Sequence, residues 1–93
     1  MGLVFSIIYE VEVVESDIPQ LTKSWRGKIQ DAINKKLTTN PETFGKPLRK
    51  SLKGYRRLRV GDYRVVFRIE GEVVIIFAII HRSGVYPKAT KRL

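Results

Sequence analysis

Four arginines alternate with other residues in the second half of the chain, at the two-residue spacing of a β-strand. Arg57 and Arg59 precede a Gly-Asp dipeptide at 61–62, and Arg64 and Arg68 follow it. Because alternate residues of a strand project from one face, each pair shares a face of its strand. Like charges on neighbouring strands repel by roughly 0.2–1 kcal/mol for each directly opposed pair, a cost that a bound anion offsets. An arginine fork matches phosphate geometry, so the pattern predicts a phosphate-binding groove. In the alternative, the arginines point into solvent or cover apolar surface with their stems.

The composition excludes several other kinds of site. The chain has no cysteine and one histidine, which rules out thiol nucleophiles, disulfide frameworks and multi-histidine zinc sites. Neither a Ser-His-Asp set nor a phosphate-cradling glycine loop is visible. We therefore expect no metal and no cofactor. The residues that remain are Arg, Lys, Tyr and one His, which suit the stabilisation of charge on a phosphate.

The net charge of +9 is concentrated in the second half of the chain. Residues 1–45 hold five Lys/Arg against six Asp/Glu, a net −1, whereas residues 46–93 hold thirteen against three, a net +10. Such a field suits nucleic acid, an anionic membrane or an acidic protein. The longest apolar stretch, residues 73–80, is far shorter than the ~20 residues of a spanning helix. The N-terminus also lacks the basic start and cleavage site of a signal peptide. We expect a cytoplasmic protein with no membrane partner.

The first half of the chain predicts a strand followed by two helices. Leu3 to Tyr9 is rich in β-branched and aromatic residues, which favour a strand. Four apolar residues at helical spacing then predict a short helix: Val11, Val14, Ile18 and Leu21. The acidic residues of this segment are predicted to lie away from the apolar stripe: Glu12, Glu15 and Asp17.

Residues 23–38 predict a second, clearer amphipathic helix. Its apolar face is marked by Trp25, Ile29, Ala32, Ile33 and Leu37. Thr22 or Ser24 can cap its start, and Asn40-Pro41 ends it before a loop with Gly45 and Pro47.

The second half of the chain predicts an antiparallel meander. Residues 61–62 form a two-residue hairpin turn, and residues 70–72 form the next turn. Residues 73–80 are apolar at both odd and even positions, which project from opposite faces of a strand, so the pattern indicates a strand covered on both faces. Pro87 is compatible with the first turn of a short C-terminal helix. We predict one α+β domain over residues 1–93, in the order β-α-α-β-β-β, with an antiparallel meander sheet and two helices packed on one face.

Two motifs in this half resemble a known family. The first is Leu-Arg-Val-Gly-Asp-Tyr-Arg at 58–64, and the second is His-Arg-Ser-Gly-Val-Tyr at 81–86. Together with the element order, they resemble the RelE/ParE superfamily of bacterial and archaeal toxins over nearly the whole chain. The resemblance implies a RelE-like fold and the toxin of a type II toxin–antitoxin module. It also implies an acidic, RelB-like antitoxin that wraps the basic surface.

The resemblance leaves the target open between two branches. Toxins of the RelE branch enter the ribosomal A site and cut mRNA, whereas those of the ParE branch poison DNA gyrase. We expect a metal-independent, ribosome-dependent mRNA endonuclease. The alternatives are a ParE-like gyrase inhibitor without nuclease activity and an inactive homologue that binds only its antitoxin.

The resemblance also implies a set of site residues. The catalytic set is Arg57, Arg59, Arg64, Arg82, Tyr86 and Lys53. The RNA-binding set is Lys50, Arg56, Arg68 and His81.

In the expected reaction, an RNA 2′-hydroxyl attacks the adjacent phosphate. Arg64 and Arg82 bind the non-bridging oxygens and stabilise the added charge. Arg57 and Arg59 hold the flanking backbone and assist the leaving oxygen, and Tyr86 stacks on a base or orients the phosphate.

The proton acceptor is less well specified. Arginine is effectively always protonated, so Arg57 and Arg59 are poor general bases. Lys53 and His81 are the two candidates, and a hydrogen-bonded structural role is also compatible with His81.

Overall fold

A five-stranded sheet forms the centre of the molecule in the computed structural model, which describes residues 4–93. The strands are β1 (Ser6–Tyr9), β2 (Lys46–Pro47), β3 (Arg56–Val60), β4 (Tyr63–Glu70) and β5 (Val73–His81). Two helices contain π-helical turns: α1 (Val13–Asp17, then Ile18–Gln20) and α2 (Lys23–Ala32, then Ile33–Leu37). The remaining helices are α3 (Pro41–Phe44) and α4 (Val85–Lys91), and 3-10 turns span Lys50–Leu52 and Arg82–Gly84.

The sheet has the order β1-β5-β4-β3-β2. Strands β3, β4 and β5 form the predicted antiparallel meander, and β1 lies parallel to β5 at the far edge. The predicted α+β class and element order are therefore confirmed. Strand β2, the parallel pairing of β1 and the helical turn α3 were not predicted. The predicted start of the first strand, Leu3, lies outside the described residues.

Helices α1 and α2 cover one face of the sheet, which we call the helix face. The predicted inward face of α2 is confirmed, because Ile29, Ile33 and Leu37 are buried against β3, β4 and β5. The predicted cap is also present, since the Trp25 N–H donates to Thr22 Oγ1 at 3.2 Å.

The predicted inward face of the first helix is confirmed at Ile18 and Leu21 and wrong at Val11 and Val14. Val11 and Val14 are 66% and 52% exposed, whereas Val13, Asp17 and Leu21 are buried. The physical reason is the π-helical turn over Val13–Asp17, whose wider spacing rotates the chain away from the 3.6-residue stripe. The acidic residue Asp17, which was predicted to point outwards, therefore enters the interior.

The opposite face of the sheet carries the alternating arginines of β3 and β4, and we call it the arginine face. Helix α4 and the segment 48–52 cover its centre. One hydrophobic core lies between the sheet and helices α1 and α2. A second hydrophobic core lies on the arginine face and is formed by Leu48, Leu52, Val66, Phe77, Ala78, Ile80, Val85 and Ala89. Strand β5 is thus covered on both faces, as predicted, and the predicted C-terminal helix is present as α4. The pairing of β4 with β5 shifts by one residue, which leaves Phe77 as a β-bulge.

Candidate functional site

The register of β3 and β4 places two arginines side by side. Arg59 lies directly opposite Arg64, and two residues back along β3 Arg57 lies opposite Val66. Directly opposed residues of an antiparallel pair share a face, so all three arginines project from the arginine face. The predicted convergence of these side chains is therefore present in the backbone geometry.

The hairpin turn between β3 and β4 packs on helix α2 and makes hydrogen bonds to two arginines of the site. Gly61 has φ +58°, and a Cβ there would lie 2.5 Å from the Trp25 ring, so the turn packs directly on α2. Arg64 Nη1 donates to the Gly61 and Tyr63 carbonyl oxygens, each at 2.9 Å. The Arg82 N–H donates to the Asp62 carbonyl oxygen at 2.8 Å. Arg64 and Arg82 are thus attached to the same two-residue turn.

The electrostatics of Arg64 show that the cations lie within range of one another. Its pKa is lowered first by partial burial, and then by the positive charges of Arg59, Arg57 and Arg82. Asp62 acts in the opposite direction and offsets part of that effect. We call Arg57, Arg59, Arg64 and Arg82 the arginine cluster. Four cations without a matched carboxylate set form a site that favours an anion.

Tyr86 lies on the same side of the sheet as the arginine cluster, in the first turn of α4. It is 37% exposed, and its hydroxyl oxygen accepts a 3.0 Å hydrogen bond from the Arg49 N–H. The hydroxyl therefore joins α4 to the segment 48–52, while part of the ring remains open to solvent. No contact between Tyr86 and the guanidinium groups is described within residues 4–93.

Lys50 lies in the segment 48–52 that Tyr86 contacts, and Lys53 directly follows it. Leu48 and Leu52 attach this segment to the arginine face, and both lysines are exposed. Lys50 has φ +57°, the left-handed conformation that is unusual for a non-glycine residue. Lys50 and Lys53 are thus two exposed cations in, or directly after, the segment that covers the arginine face.

Two of the predicted RNA-binding arginines are not brought into the arginine cluster. Arg56 shares the parity of Leu58 and lies on the helix face, where Nη1 donates to the Gly45 carbonyl oxygen at 2.9 Å. Arg68 lies on the arginine face, but its Nε donates to Glu70 Oε2 at 2.6 Å. That hydrogen bond is the first cause of the raised pKa of Arg68. Arg56 is therefore separated from the cluster by its face of the sheet, and the positive charge of Arg68 is paired with Glu70.

His81 is also placed away from the cluster. It lies directly opposite Tyr63, with an edge-to-face ring contact of 5.8 Å between centroids, so it shares the helix face. Its Nδ1 is 2.9 Å from Ser83 Oγ and accepts from the Ser83 N–H at 3.4 Å. These contacts agree with the structural role that the sequence left open for this histidine.

Lys46 is a candidate site residue that the sequence did not reveal. It lies in β2 directly opposite Arg57 and is exposed on the arginine face. A two-residue strand has too few positions to show an alternating pattern, so the sequence carries no signal for this placement.

Within residues 4–93, no helix has both the length and the apolar character needed to cross a membrane.

Comparison with protein families gives one match over most of the chain. The family described as ParE toxin of type II toxin–antitoxin system, parDE, matches residues 12–86. Toxin RelG of Mycobacterium tuberculosis is 40% identical over 54 residues, which cover 56% of this chain and 62% of RelG. Toxin RelE of the same organism is 46% identical over 52 residues, which cover 54% of each chain. The matched segment thus spans little more than half the length of these relatives.

Comparison with solved structures covers more of the chain. The RelBE2 toxin–antitoxin complex of Mycobacterium tuberculosis contains a chain with a TM-score of 0.80 and 26% identity, over 87% of this chain and 94% of that one. The RelB–RelE complex of Methanococcus jannaschii gives a TM-score of 0.61 at 23% identity, over 85% and 94%. The second likeness shows the fold alone.

Proposed function

This chain belongs to the family of ParE toxins of type II toxin–antitoxin systems, and from that premise we propose that it is a ribosome-dependent mRNA endonuclease. The similarity to chains named RelG and RelE supports this branch of the superfamily. The observation that carries the proposal is the arginine cluster, in which Arg64 lies directly opposite Arg59 and within electrostatic range of Arg57 and Arg82.

Repulsion within the arginine cluster destabilises the free protein more than it destabilises the complex with a phosphate. Arg59 and Arg64 are directly opposed like charges, which destabilise a sheet by roughly 0.2–1 kcal/mol. A phosphodiester between them replaces repulsion with charge-assisted hydrogen bonds. Because the added charge of a pentacoordinate phosphate is greater than that of the ground state, the cluster stabilises the transition state more strongly than the substrate.

Each member of the arginine cluster has a role in the proposed reaction. The RNA 2′-hydroxyl attacks the adjacent phosphate, the 5′-oxygen leaves, and Arg64 and Arg82 bind the two non-bridging oxygens. Arg64 Nη1 and the backbone N–H of Arg82 both donate to the hairpin turn, which holds these two residues near each other before RNA arrives. Arg57 and Arg59 hold the flanking backbone and assist the leaving oxygen. The ring of Tyr86 stacks on a neighbouring base, since its hydroxyl is bonded to the Arg49 N–H.

Lys53 is the better-supported proton acceptor of the two candidates. It is exposed and directly follows the segment 48–52, which covers the arginine face, the side on which we place the RNA. His81 lies on the helix face, with Nδ1 engaged by Ser83. We therefore propose that Lys53, in its neutral amine form, takes the proton of the 2′-hydroxyl and becomes an ammonium.

We propose that the cognate partner is an acidic antitoxin of RelB type. The solved chains that resemble this one include toxins in complex with RelB antitoxins. The net charge of +10 in residues 46–93 favours an acidic segment on the arginine face. We further propose that the toxin acts in the cytoplasm, where its ribosome-bound mRNA lies.

A second function is favoured by the family match itself. The matching family is described as ParE toxins, and the ParE branch implies a gyrase inhibitor without RNA chemistry. Such an inhibitor has no physical need for several guanidinium groups around one point. The two functions therefore differ in whether the arginine cluster acts on a phosphate.

The test is induced expression of the chain and its variants in a bacterial host. Arg64→Ala and Arg82→Ala are each expected to abolish growth arrest and the new transcript 5′ ends that wild type produces. Lys23→Ala, which removes an exposed cation from the helix face, is the control and should retain both effects. DNA damage without new transcript ends would establish the gyrase function instead. Growth arrest that persists in both arginine variants would remove the arginine cluster from either mechanism.

A further inference from the structure

The inner end of helix α1 holds a buried carboxylate that the proposed reaction does not use. Within residues 4–93, Asp17 is the charged residue that the fold buries, with 6% of its side chain exposed. Burial of a charge is strongly unfavourable unless that charge is paired and hydrogen-bonded. We therefore expect the carboxylate of Asp17 to be paired with a cation and hydrogen-bonded inside the protein.

The partner of Asp17 is Arg92, which comes directly after helix α4. Arg92 Nη1 donates to Asp17 Oδ2 at 2.7 Å, and Nη2 donates to Asp17 Oδ1, so the pair is bidentate. Asp17 Oδ2 also accepts from the Ile79 N–H at 2.8 Å, and Arg92 Nη1 donates to the Phe77 carbonyl oxygen at 3.3 Å. One ion pair thus joins α1, β5 and the end of α4.

Two backbone irregularities meet at this ion pair. The π-helical turn ends at Asp17 and directs its carboxylate inwards. The β-bulge at Phe77 lies in the part of β5 that supplies the carbonyl oxygen for Arg92. Irregularities of both kinds are enriched next to functional sites, and each disturbs a regular hydrogen-bond ladder. A well-packed apolar contact would stabilise the fold at least as well as a buried ion pair, so the pair is better explained by the position that it specifies.

Helix α4 is the element that this pair joins to α1 and β5, in addition to the core contacts of Val85 and Ala89. It has seven residues, too few to be stable without tertiary contacts. Its first turn carries Tyr86, and the 3-10 turn before it begins with Arg82. At its far end the chain is held by the contact of Arg92 with Asp17 and by the 3.2 Å hydrogen bond between the Thr90 and Ser51 hydroxyls. The chain between Arg82 and Arg92 is thus held at both ends.

We propose that Asp17 and Arg92 are positioning residues, which act through α4 to hold Arg82 and Tyr86 at the productive distance from the scissile phosphate. The kinetic part of this inference rests on the proposed nuclease function. The structural part, that the ion pair determines the order of α4, does not depend on it.

The test uses a double variant that removes both charges and leaves the net charge of the protein unchanged. In Asp17→Asn/Arg92→Met, the Asn side-chain oxygen still accepts from the Ile79 N–H, and no unpaired charge is buried. The matched control is Asp31→Asn/Lys35→Met, which also removes one carboxylate and one cation, here from an ion pair of 3.0 Å whose side chains are 61% and 73% exposed. Arg92→Met additionally removes the 3.1 Å salt bridge between Arg92 Nε and the exposed Glu12. Both proteins are compared with wild type by urea unfolding, by amide hydrogen exchange and by cleavage of ribosome-bound mRNA.

We expect Asp17→Asn/Arg92→Met to have the same urea midpoint of unfolding as the control variant, within error. The amides of residues 88–91 should exchange at least about tenfold faster, with those of β4 and β5 unchanged. The kcat for mRNA cleavage should fall at least about tenfold, with KM within about twofold of wild type, because misplacement by about 1 Å has effects of this size.

Two results would overturn the proposal. In the first, the double variant and the control have the same rates of hydrogen exchange in α4 and the same kcat. The other is a loss of activity that follows a fall in the urea midpoint, which identifies the pair as a stabilising contact without a positioning role. If wild type itself cleaves no mRNA, the proposed function fails separately, and the exchange rates of α4 decide whether the ion pair orders the helix.

Discussion

Replacement of the opposed arginines of β3 and β4 should reveal an unfavourable coupling between them. Arg59→Thr, Arg64→Thr and the double variant form a thermodynamic cycle, which isolates the pair from the hydrogen bonds that Arg64 makes to the hairpin turn. Threonine retains β-propensity, so the strands themselves are little affected. Two unit charges about 6 Å apart in water repel by about 0.7 kcal/mol, and opposed like charges in sheets cost roughly 0.2–1 kcal/mol. Because Arg64 bends back towards the turn, we expect an unfavourable coupling of about 0.5 kcal/mol.

The assay is urea unfolding at about 0.02 M and about 1 M salt. The coupling should be present at low salt and close to zero at about 1 M, where the screening length is about 3 Å. Each single variant should also lose mRNA cleavage, even though removal of one charge relieves the electrostatic repulsion between Arg59 and Arg64 in the folded protein. A favourable coupling, or one that salt does not change, would refute the view that this pair is retained for an anion at a cost to stability.

Three further predictions concern the elements around the site. Tyr86→Phe removes the hydroxyl that accepts from the segment 48–52 and should lower the free energy of unfolding by about 0.5–1.5 kcal/mol in a urea titration, while cleavage persists because the ring remains. Unchanged stability with lost cleavage would assign the hydroxyl a direct role. Gly61→Ala should destabilise the protein by about 1–3 kcal/mol more than Gly71→Ala, because both glycines have a positive φ but only the first packs against the Trp25 ring. Equal losses would show that the turn does not depend on that contact. Burial raises the pKa of Tyr9 above its ordinary value of 10.0, so the unfolded chain loses this proton first and stability falls as pH rises above about 10. Tyr9→Phe should flatten that fall in urea midpoints measured between about pH 8 and pH 11, and an unaltered slope would contradict the assignment.

The parts of the fold set by local periodicity could be predicted from the sequence. The two-residue alternation around the Gly-Asp dipeptide gave the hairpin and placed Arg57, Arg59 and Arg64 on one face. The 3.6-residue spacing gave α2 and its buried side. These features depend on neighbours within a few residues, so the sequence pattern carries them directly. Arg56 was predicted to bind RNA, but it alternates in step with Leu58 along β3 and lies on the face away from Arg57 and Arg59.

The parts set by distant contacts could not be predicted. The inward turn of Asp17 depends on Arg92, which lies 75 residues later in the chain. The two π-helical turns and the β-bulge at Phe77 depart from the periodicities on which any sequence pattern relies. The hydroxyl contact of Tyr86 likewise depends on a backbone N–H 37 residues away. The candidate site was thus predictable in its strand arginines and unpredictable in the contacts that hold α4 beside them.

Cleavage of a ribosome-bound mRNA with a single 2′-deoxy nucleotide at the cut position tests the central claim most directly. The account predicts that purified toxin cuts the all-ribose mRNA and leaves a 5′-hydroxyl on the downstream fragment. The deoxy mRNA should stay intact at that position, because the attacking oxygen is absent. Arg64→Ala should lower the rate on the all-ribose mRNA by about 10²–10³-fold, as loss of one donor to a transition-state oxygen does. Cleavage of the deoxy mRNA at the same position, or a wild-type rate from Arg64→Ala, would contradict the account.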